Sequence, residues 1–195
     1  MKTRIIILIF CGVMLTGQAG KALAGQSYAF SETPDWLAAK GREVTLLYPA
    51  DTNLRKLESR LRSRYFSVST VEKDLFANPA YRIENRITAR LESILLRAKR
   101  ILAMNPPYMN LKIKVFNNRE ELNNEYYRIF GSRQNYRSFY IHNLEMIFSS
   151  MQDITDSVIA HEMGHAIIDH YFNVTPPPKV AELLAVYVDS HLEKE

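Results

Sequence analysis

Two histidines and a glutamate in the segment His161-Glu162-Met163-Gly164-His165 are the residues best suited to chemistry. A helix turns about 100° per residue, so His161 and His165 lie one above the other on the same helical face. Two neutral imidazoles in that arrangement can bind one zinc ion. Glu162 would then take a proton from a zinc-bound water, and the resulting hydroxide would attack a carbonyl polarised by the metal. The spacing therefore predicts metal-assisted hydrolysis.

The residues that flank this motif are apolar on nearly every side of the predicted helix. They are Val158, Ile159, Ala160, Ala166, Ile167 and Ile168. A helix of this kind is expected to be buried, and buried His and Glu side chains destabilise a fold unless they have partners. A metal ion supplies such a partner. The competing interpretation is a pair of core histidines hydrogen-bonded to the backbone or to Glu162.

A catalytic zinc needs a third protein ligand, and Glu182 is the best candidate. Pro176-Pro177-Pro178 interrupts the chain and starts a second helix, whose first acidic residue is Glu182, 17 positions after His165. A carboxylate among Ala, Leu and Val needs a cation, and this separation allows a turn and a return helix beside the first. We therefore expect His161, His165 and Glu182 to bind one Zn²⁺ per chain.

Two other acids are candidates for a supporting role at the same site. Asp169 lies four residues after His165 and Asp189 lies seven after Glu182, so either could orient a ligand histidine. A third histidine at the metzincin spacing is absent, because Tyr171 occupies that position. The other histidines are expected to lie outside the site: His142, His170 and His191.

The N-terminal segment has the features of a secretory leader. Residues 1–4 are basic, residues 5–15 are apolar, and Ala22-Leu23-Ala24 fits a signal-peptidase site, so we predict a signal peptide over 1–24. The apolar run is shorter than the roughly 20 residues that a membrane span needs. The expected product is an exported protein, periplasmic or extracellular, with no stable membrane span after the leader is removed.

The charge balance argues against nucleic acid as a partner. The full chain of 195 residues has 25 Lys and Arg against 21 Asp and Glu. Removal of residues 1–24 takes away Lys2, Arg4 and Lys21 and no acid, which leaves 22 bases against 21 acids. The single cysteine, Cys11, leaves with the leader. A metal site in the mature chain must therefore use His, Asp or Glu, and a peptide or protein substrate is the expected partner.

Two periodicities predict the elements that position the motif: alternation for strands, and spacings of three and four for helices. The predicted strands cover residues 43–48, 111–116, 138–141 and 145–149, the last two joined by a tight turn near His142-Asn143. The predicted helices start at Asp51 or Thr52, at Asn78-Pro79 and at Asn118. The helix from Asn78 runs to Asn105 and is the longest, and the helix from Asn118 ends at Gly131. The metal helix is expected to start at Asp153 or Thr155.

These elements predict an α+β fold with a long support helix, a small mostly antiparallel sheet, the metal helix and the Glu182 helix. Residues 25–79 are expected to form a strand and helix region that packs on a catalytic core over 80–195. One basic cluster lies on the first helix: Arg55, Lys56, Arg60, Arg62 and Arg64. We interpret it as a solvated helix face; the alternative is a binder of anionic envelope polymers.

The motif and the segment from Ala181 to Tyr187 together resemble the gluzincin zinc metallopeptidases, especially small exported bacterial members of the peptidase MA-like superfamily. The resemblance covers about residues 80–195. It implies a zincin-like fold, zinc at His161, His165 and Glu182, and Glu162 as the general base. It also implies that Tyr140 and the strand over 145–149 form an edge strand, which lies along the cleft and pairs with an extended peptide. The oxyanion donor of that family is a Tyr or His, for which Tyr140 and Tyr187 are candidates.

The expected function is therefore hydrolysis of peptide bonds by an exported zinc metallopeptidase. The alternative is a catalytically inactive protein with a zincin fold that serves in binding or assembly in the cell envelope. An intact Glu162 favours the enzyme, because a purely structural metal site has no use for a general base.

Overall fold

The centre of the fold is a five-stranded sheet. The computed structural model describes residues 36–61, 82–107 and 109–192. Its strands are β1 (Trp36–Lys40), β2 (Val44–Pro49), β3 (Leu111–Phe116), β4 (Ser138–Ile141) and β5 (Met146–Ser150). They are arranged in the order β1-β2-β3-β5-β4, so β1 and β4 form the two edges. The expectation that the strand over 145–149 is an edge strand is therefore wrong, because β5 pairs with a strand on each side. The predicted leader over 1–24, the predicted helix start at Asn78-Pro79, and Arg62 and Arg64 lie outside the described residues.

The sheet is mixed, so the prediction of a mostly antiparallel sheet is wrong. β2 and β3 run parallel, as do β3 and β5, whereas the two edge strands pair antiparallel with their neighbours. The physical reason is that helices lie in both connections between parallel strands, the one from β2 to β3 and the one from β3 to β5. Such crossovers bring the chain back in the same direction, unlike a tight hairpin. The alternation of Leu111, Ile113 and Val115 predicted that these three side chains are buried, but not the direction of the neighbouring strands.

Five α-helices and one short 3₁₀ helix complete the described part of the chain, which confirms an α+β protein. The α-helices are α1 (Leu54–Arg60), α2 (Ile83–Leu102), α3 (Arg119–Phe130), α4 (Asp156–Tyr171) and α5 (Pro178–His191), and the 3₁₀ helix is His142–Leu144. The predicted caps are confirmed at two helices. The Asn118 side chain accepts a hydrogen bond from the Glu121 amide, and the Thr155 hydroxyl accepts one from the Val158 amide.

The main core lies between the sheet and the helices α1, α2, α4 and α5. Fully buried side chains from α2, such as Leu91 and Ile94, belong to one cluster with Ile113 of β3 and Ile159 and Met163 of α4. Burial of a large aliphatic side chain stabilises a fold by roughly 1.5–3 kcal/mol. The longest helix, α2, thus supports the helix that carries the metal motif.

The other face of the sheet is covered by α3 and is rich in aromatic rings. Phe139 and Phe148 stack with centroids 4.8 Å apart, and Tyr126 of α3 meets Phe139 edge-on at 5.1 Å. Lys114 of β3 is buried, whereas Lys112 of the same strand is exposed. The Lys114 ammonium contacts Glu125 at 3.1 Å and lies over the Trp36 ring, so burial is compensated by charge and by a cation–π contact.

Arg90 of α2 fixes the start of the metal helix. Its Nε donates a hydrogen bond to the Leu61 carbonyl at 2.8 Å, and its Nη2 donates one to Asp156 in the first turn of α4 at 2.6 Å. Both charged side chains are buried. The contact ties the end of α1 and the beginning of α4 to the same arginine.

No helix in the described ranges is long and apolar enough to cross a lipid bilayer.

Candidate metal centre

The fold brings the three expected metal ligands together. His161 and His165 lie one turn apart on α4, and Glu182 lies near the start of the neighbouring α5. One nitrogen or oxygen atom from each residue lies within 4.8 Å of the atoms from the other two. Within residues 36–61, 82–107 and 109–192, this is the one group of three or more His, Cys, Asp or Glu side chains with that geometry.

The two nitrogen–oxygen distances within the group are close to those around a small ion with short bonds. Nε2 of His161 lies 3.6 Å from Oε1 of Glu182, and Nε2 of His165 lies 3.4 Å from Oε2 of the same carboxylate. A tetrahedral ion with bonds of 2.0–2.1 Å holds its ligand atoms about 3.3–3.4 Å apart. The nitrogen and oxygen atoms are therefore spaced for a shared cation and are too far apart for strong direct hydrogen bonds.

Two buried polar atoms in the H-E-x-x-H motif have no hydrogen-bond partner: Nε2 of His161 and Oε2 of Glu162. An unsatisfied buried polar atom destabilises a fold by about 1–3 kcal/mol. If His161 were a core histidine, its ring would be hydrogen-bonded to the backbone or to Glu162. Its Nε2 makes no such bond. A bound cation would satisfy His161, and a water beside that cation would satisfy Glu162.

A small residue inside the motif explains how closely the two helices approach. A Cβ atom at Gly164 would lie only 3.1 Å from the backbone Cα of Ala185 on α5 and 3.4 Å from a Val188 methyl. Ala185 and Val188 are both buried. Because α4 has no side chain at this position, α5 can pack directly against its backbone. Glu182 lies three residues before Ala185, so this close packing allows its carboxylate to reach His161 and His165.

Of the two acids considered for a supporting role, Asp189 contacts an expected ligand, His161, and Asp169 contacts neither expected histidine ligand. Oδ2 of Asp189 lies 3.4 Å from Nδ1 of His161. Asp169 instead accepts a hydrogen bond from the Tyr140 hydroxyl at 3.0 Å and contacts Nδ1 of His142. An acid that binds Nδ1 fixes the ring orientation and leaves Nε2 directed at the metal position. Asp189 is therefore the residue that orients His161.

The site holds an excess of negative charge. Burial raises the pKa of Glu162 above its ordinary value, although the neighbouring charges of His165 and His161 oppose this shift. Burial lowers the pKa of His161, but Asp189, Glu162 and Glu182 outweigh it, so the net shift is upward. Burial likewise raises the pKa of Glu182, and the two histidines reverse the shift to a lowering. Three carboxylates around two imidazoles favour a bound cation, either a proton or a metal.

The edge strand β4 lies beside the general-base candidate. β4 packs against α4, and Ser138 at its first position is buried and interacts with Glu162. Ser138 could not be singled out from the sequence, because a serine in a short strand has no distinctive spacing. The two oxyanion candidates have other contacts: Tyr140 bonds Asp169, and Tyr187 stacks on His191.

The remaining histidines lie outside the three-ligand group, as expected. His142 is exposed and contacts Asp169, and His170 contacts the Ala166 carbonyl and Glu145. The site therefore consists of two imidazoles and one carboxylate as expected metal ligands, together with the Glu162 carboxylate, whose Oε2 has no hydrogen-bond partner. That set is able to hold a metal ion and accept a proton beside it.

No family model, curated protein or solved structure matches this chain, so these residues carry the functional argument by themselves.

Proposed function

We propose that this protein is an exported zinc metallopeptidase with a zincin-like fold, which hydrolyses peptide bonds with Glu162 as the general base. One observation carries the proposal. One ligand atom from each of His161, His165 and Glu182 lies within 4.8 Å of the other two, and the residue after His161 carries a buried carboxylate oxygen that has no hydrogen-bond partner. A structural site would have four protein ligands and no adjacent base.

Zinc is the ion that fits this donor set, since two imidazole nitrogens and one carboxylate are common ligands in catalytic zinc sites. When bound, zinc lowers the pKa of a coordinated water and polarises a carbonyl group. His161, His165 and Glu182 would hold the ion and leave a fourth position for water or substrate. Asp189 would keep the His161 ring oriented by contacting its Nδ1.

Glu162 would move the proton. Its pKa is raised by burial, which makes the carboxylate a better proton acceptor than an exposed glutamate. It would take one proton from the attacking water, and the water oxygen would bond to the peptide carbonyl carbon. Glu162 would then give that proton to the leaving nitrogen as the C–N bond breaks. The proton count balances, and the carboxylate returns to its starting state.

A peptide is the favoured substrate because of the position of β4. This strand forms one edge of the sheet and pairs only with β5 among the described strands. Its outer backbone groups are therefore available to an extended chain, which can pair with them as an added strand. Ser138, the first residue of β4, lies beside Glu162, so a chain paired with β4 would pass near the base.

The proposal is tested by the Glu162→Gln variant in a peptide-library cleavage assay with zinc content measured in parallel. We expect the variant to retain zinc and lose turnover, because the amide cannot accept the proton. His161→Ala should lose both zinc and turnover, whereas His142→Ala, at an exposed histidine outside the group, should lose neither. Turnover that survives in Glu162→Gln would remove Glu162 from its role. A zinc-loaded wild type that cleaves nothing would favour the envelope binding protein.

A further inference from the structure

The edge strand β4 contacts the metal helix α4 through side chains on one of its faces. Ser138 and Tyr140 are two residues apart in β4, so both point to the same face of the strand. The Tyr140 hydroxyl donates a hydrogen bond to Asp169 of α4 at 3.0 Å. Glu162 lies seven residues before Asp169, hence on the same side of the helix and about 10 Å away along its axis. The face of β4 that carries Ser138 is therefore turned toward the side of α4 that carries Glu162.

Ser138 is the short side chain on this face. It is buried, and its hydroxyl is a hydrogen-bonding neighbour of Glu162. Burial raises the pKa of the Glu162 carboxyl, and the Ser138 hydroxyl is among the groups that oppose this rise. An ionised carboxylate accepts hydrogen bonds and cannot donate them. The serine hydroxyl is therefore the donor when it bonds the ionised base.

The Ser138 hydroxyl has one proton and two acceptors beside it. In the structure Oγ donates to the Phe148 carbonyl at 3.0 Å. Rotation about the Cβ–Oγ bond turns the proton to another acceptor while Oγ stays in place. Because an ionised carboxylate is a stronger acceptor than a backbone carbonyl, the hydroxyl turns to Glu162 when that carboxylate is ionised.

We propose that Ser138 is a positioning residue for the general base: its hydroxyl holds one oxygen of the Glu162 carboxylate and thereby directs the other toward the attacking water. In the described part of the chain, Oε2 of Glu162 is buried without a hydrogen-bond partner. Oε2 is therefore the oxygen able to take the proton, and Oε1 is the oxygen held by Ser138. The effect on turnover rests on the proposed peptidase, whereas the contact itself does not.

This contact also connects the base to the substrate. The strand that would pair with an extended peptide is the strand that carries Ser138. A peptide paired with β4 would then be fixed relative to the oxygen that takes the proton from water, because both are held by the same strand. Orientation of this kind is a large part of the rate that an enzyme gains.

Ser149 of β5 provides a matched control. It lies directly opposite Ser138 in the antiparallel pair, so the two side chains share one face of the sheet. Ser149 is fully buried, and among the described residues its hydroxyl has no hydrogen-bond partner. The two serines thus share residue type, sheet face and burial, and they differ in the contact with Glu162.

The contact is tested in the metal-free protein by a double-mutant cycle. Ser138→Ala and Glu162→Met are made singly and together, and urea unfolding is followed in EDTA. We expect Ser138→Ala to lower the unfolding midpoint in the wild-type chain and to change it clearly less beside Glu162→Met, because methionine does not accept the hydrogen bond. Ser149→Ala should shift the midpoint equally in both backgrounds. Additive effects of Ser138→Ala and Glu162→Met would overturn the contact.

A second pair of variants tests positioning in the zinc-loaded protein. Threonine and valine have the same shape at position 138, but only threonine keeps the hydroxyl. Ser138→Val should lower kcat about tenfold or more at an unchanged KM, because a misdirected base slows the chemical step and not binding. Ser138→Thr should keep most of kcat, and Ser149→Ala should keep both constants. Equal kcat in the threonine and valine variants would overturn the positioning role.

The two measurements separate the possible failures. Additivity in the cycle, with a wild type that cleaves peptides, would overturn the role of Ser138 and leave the peptidase standing. Non-additivity in the cycle, with a zinc-loaded wild type that cleaves no peptide, would overturn the peptidase and with it the role of Ser138 in turnover.

Discussion

Asp189 and His161 connect the two helices of the site: Oδ2 of Asp189 lies 3.4 Å from Nδ1 of His161, while Nε2 of the same ring has no hydrogen bond. The contact holds one nitrogen of the imidazole and leaves the other directed at Glu182. The spacing predicted that Asp189 lies on the same helical face as Glu182, but only the packing of α5 against α4 brings Asp189 to His161.

Asp189→Asn should therefore weaken zinc binding by about 10- to 100-fold, because loss of a carboxylate that orients a ligand histidine has effects of this size. The measurement is a competition titration with a chromophoric chelator. Asp169→Asn is the matched control. It removes an acid from the neighbouring helix that contacts Tyr140 and His142 instead, and it should leave zinc affinity unchanged. Equal effects of the two variants would contradict the assigned role of Asp189.

Gly164→Ala should weaken zinc binding even though alanine favours helices. The added Cβ would meet the Ala185 backbone at 3.1 Å, so α5 and its Glu182 must move away. Overpacking costs about 1–3 kcal/mol, against a gain of about 1 kcal/mol in helix propensity. Zinc titration measures the change in zinc affinity, and urea unfolding of the metal-free protein measures the change in stability. Ser157→Ala, at an exposed position of the same helix, should leave zinc affinity unaltered. An unchanged affinity in Gly164→Ala would mean that the close approach does not position Glu182.

Arg90→Met should destabilise the fold by about 3–5 kcal/mol, the size seen when one partner of a buried ion pair is removed. The variant takes the guanidinium away from the buried carboxylate of Asp156 and from the Leu61 carbonyl. Urea unfolding without metal measures the loss. Arg86→Met is the comparison on the same helix, since the Arg86 and Glu58 side chains are more exposed. A smaller loss at Arg90 than at Arg86 would contradict this account of how α4 is anchored.

Acid should destabilise the fold partly through Glu125. Burial raises the pKa of this carboxyl, but Arg128 and Lys114 outweigh it, so the folded pKa lies below the ordinary value of 4.5. The unfolded chain then binds more protons, and the contribution of Glu125 is present above pH 4.5 and lost as pH falls through the folded pKa. Glu125→Gln should be less stable than wild type at pH 7, with a difference that shrinks on acidification. Urea unfolding between pH 7 and pH 3, with the exposed Glu120→Gln as control, measures this. A difference that stays constant with pH would be contrary to the expected linkage.

Local patterns predicted the elements that carry the site. Strand β3 has the bounds expected from the alternation of Leu111, Ile113 and Val115, and α3 starts and ends at the expected Asn118 and Gly131 caps. The H-E-x-x-H spacing predicted two histidines on one helical face, and the helix that starts at Pro178 predicted that Glu182 lies beside them. These features depend on contacts between residues close in the chain, or on one short connection.

Features set by distant contacts were not predictable in the same way. β1 was missed because its strand has a single buried residue, Ala39, and hence no alternation. The parallel pairing of β3 depends on how the crossovers pack, which no strand pattern encodes. Lys114 is buried because its ammonium lies over the ring of Trp36 on β1 and forms an ion pair with Glu125 on α3. Both contacts are with other elements of the fold. Nor did spacing distinguish Asp189 from Asp169 as the partner of a ligand.

Zinc content of the folded chain is the most direct test of the central claim. The protein is purified without added metal, and zinc per chain is measured for wild type, Glu182→Ala and Glu120→Ala, the last at an exposed carboxylate outside the site. Circular dichroism establishes that all three are folded. We predict about one tightly held zinc per chain in wild type and Glu120→Ala, as expected for a single three-ligand site, and clearly weaker retention in Glu182→Ala. Folded wild type that takes up no zinc even after supplementation would contradict the metal centre and the peptidase built on it.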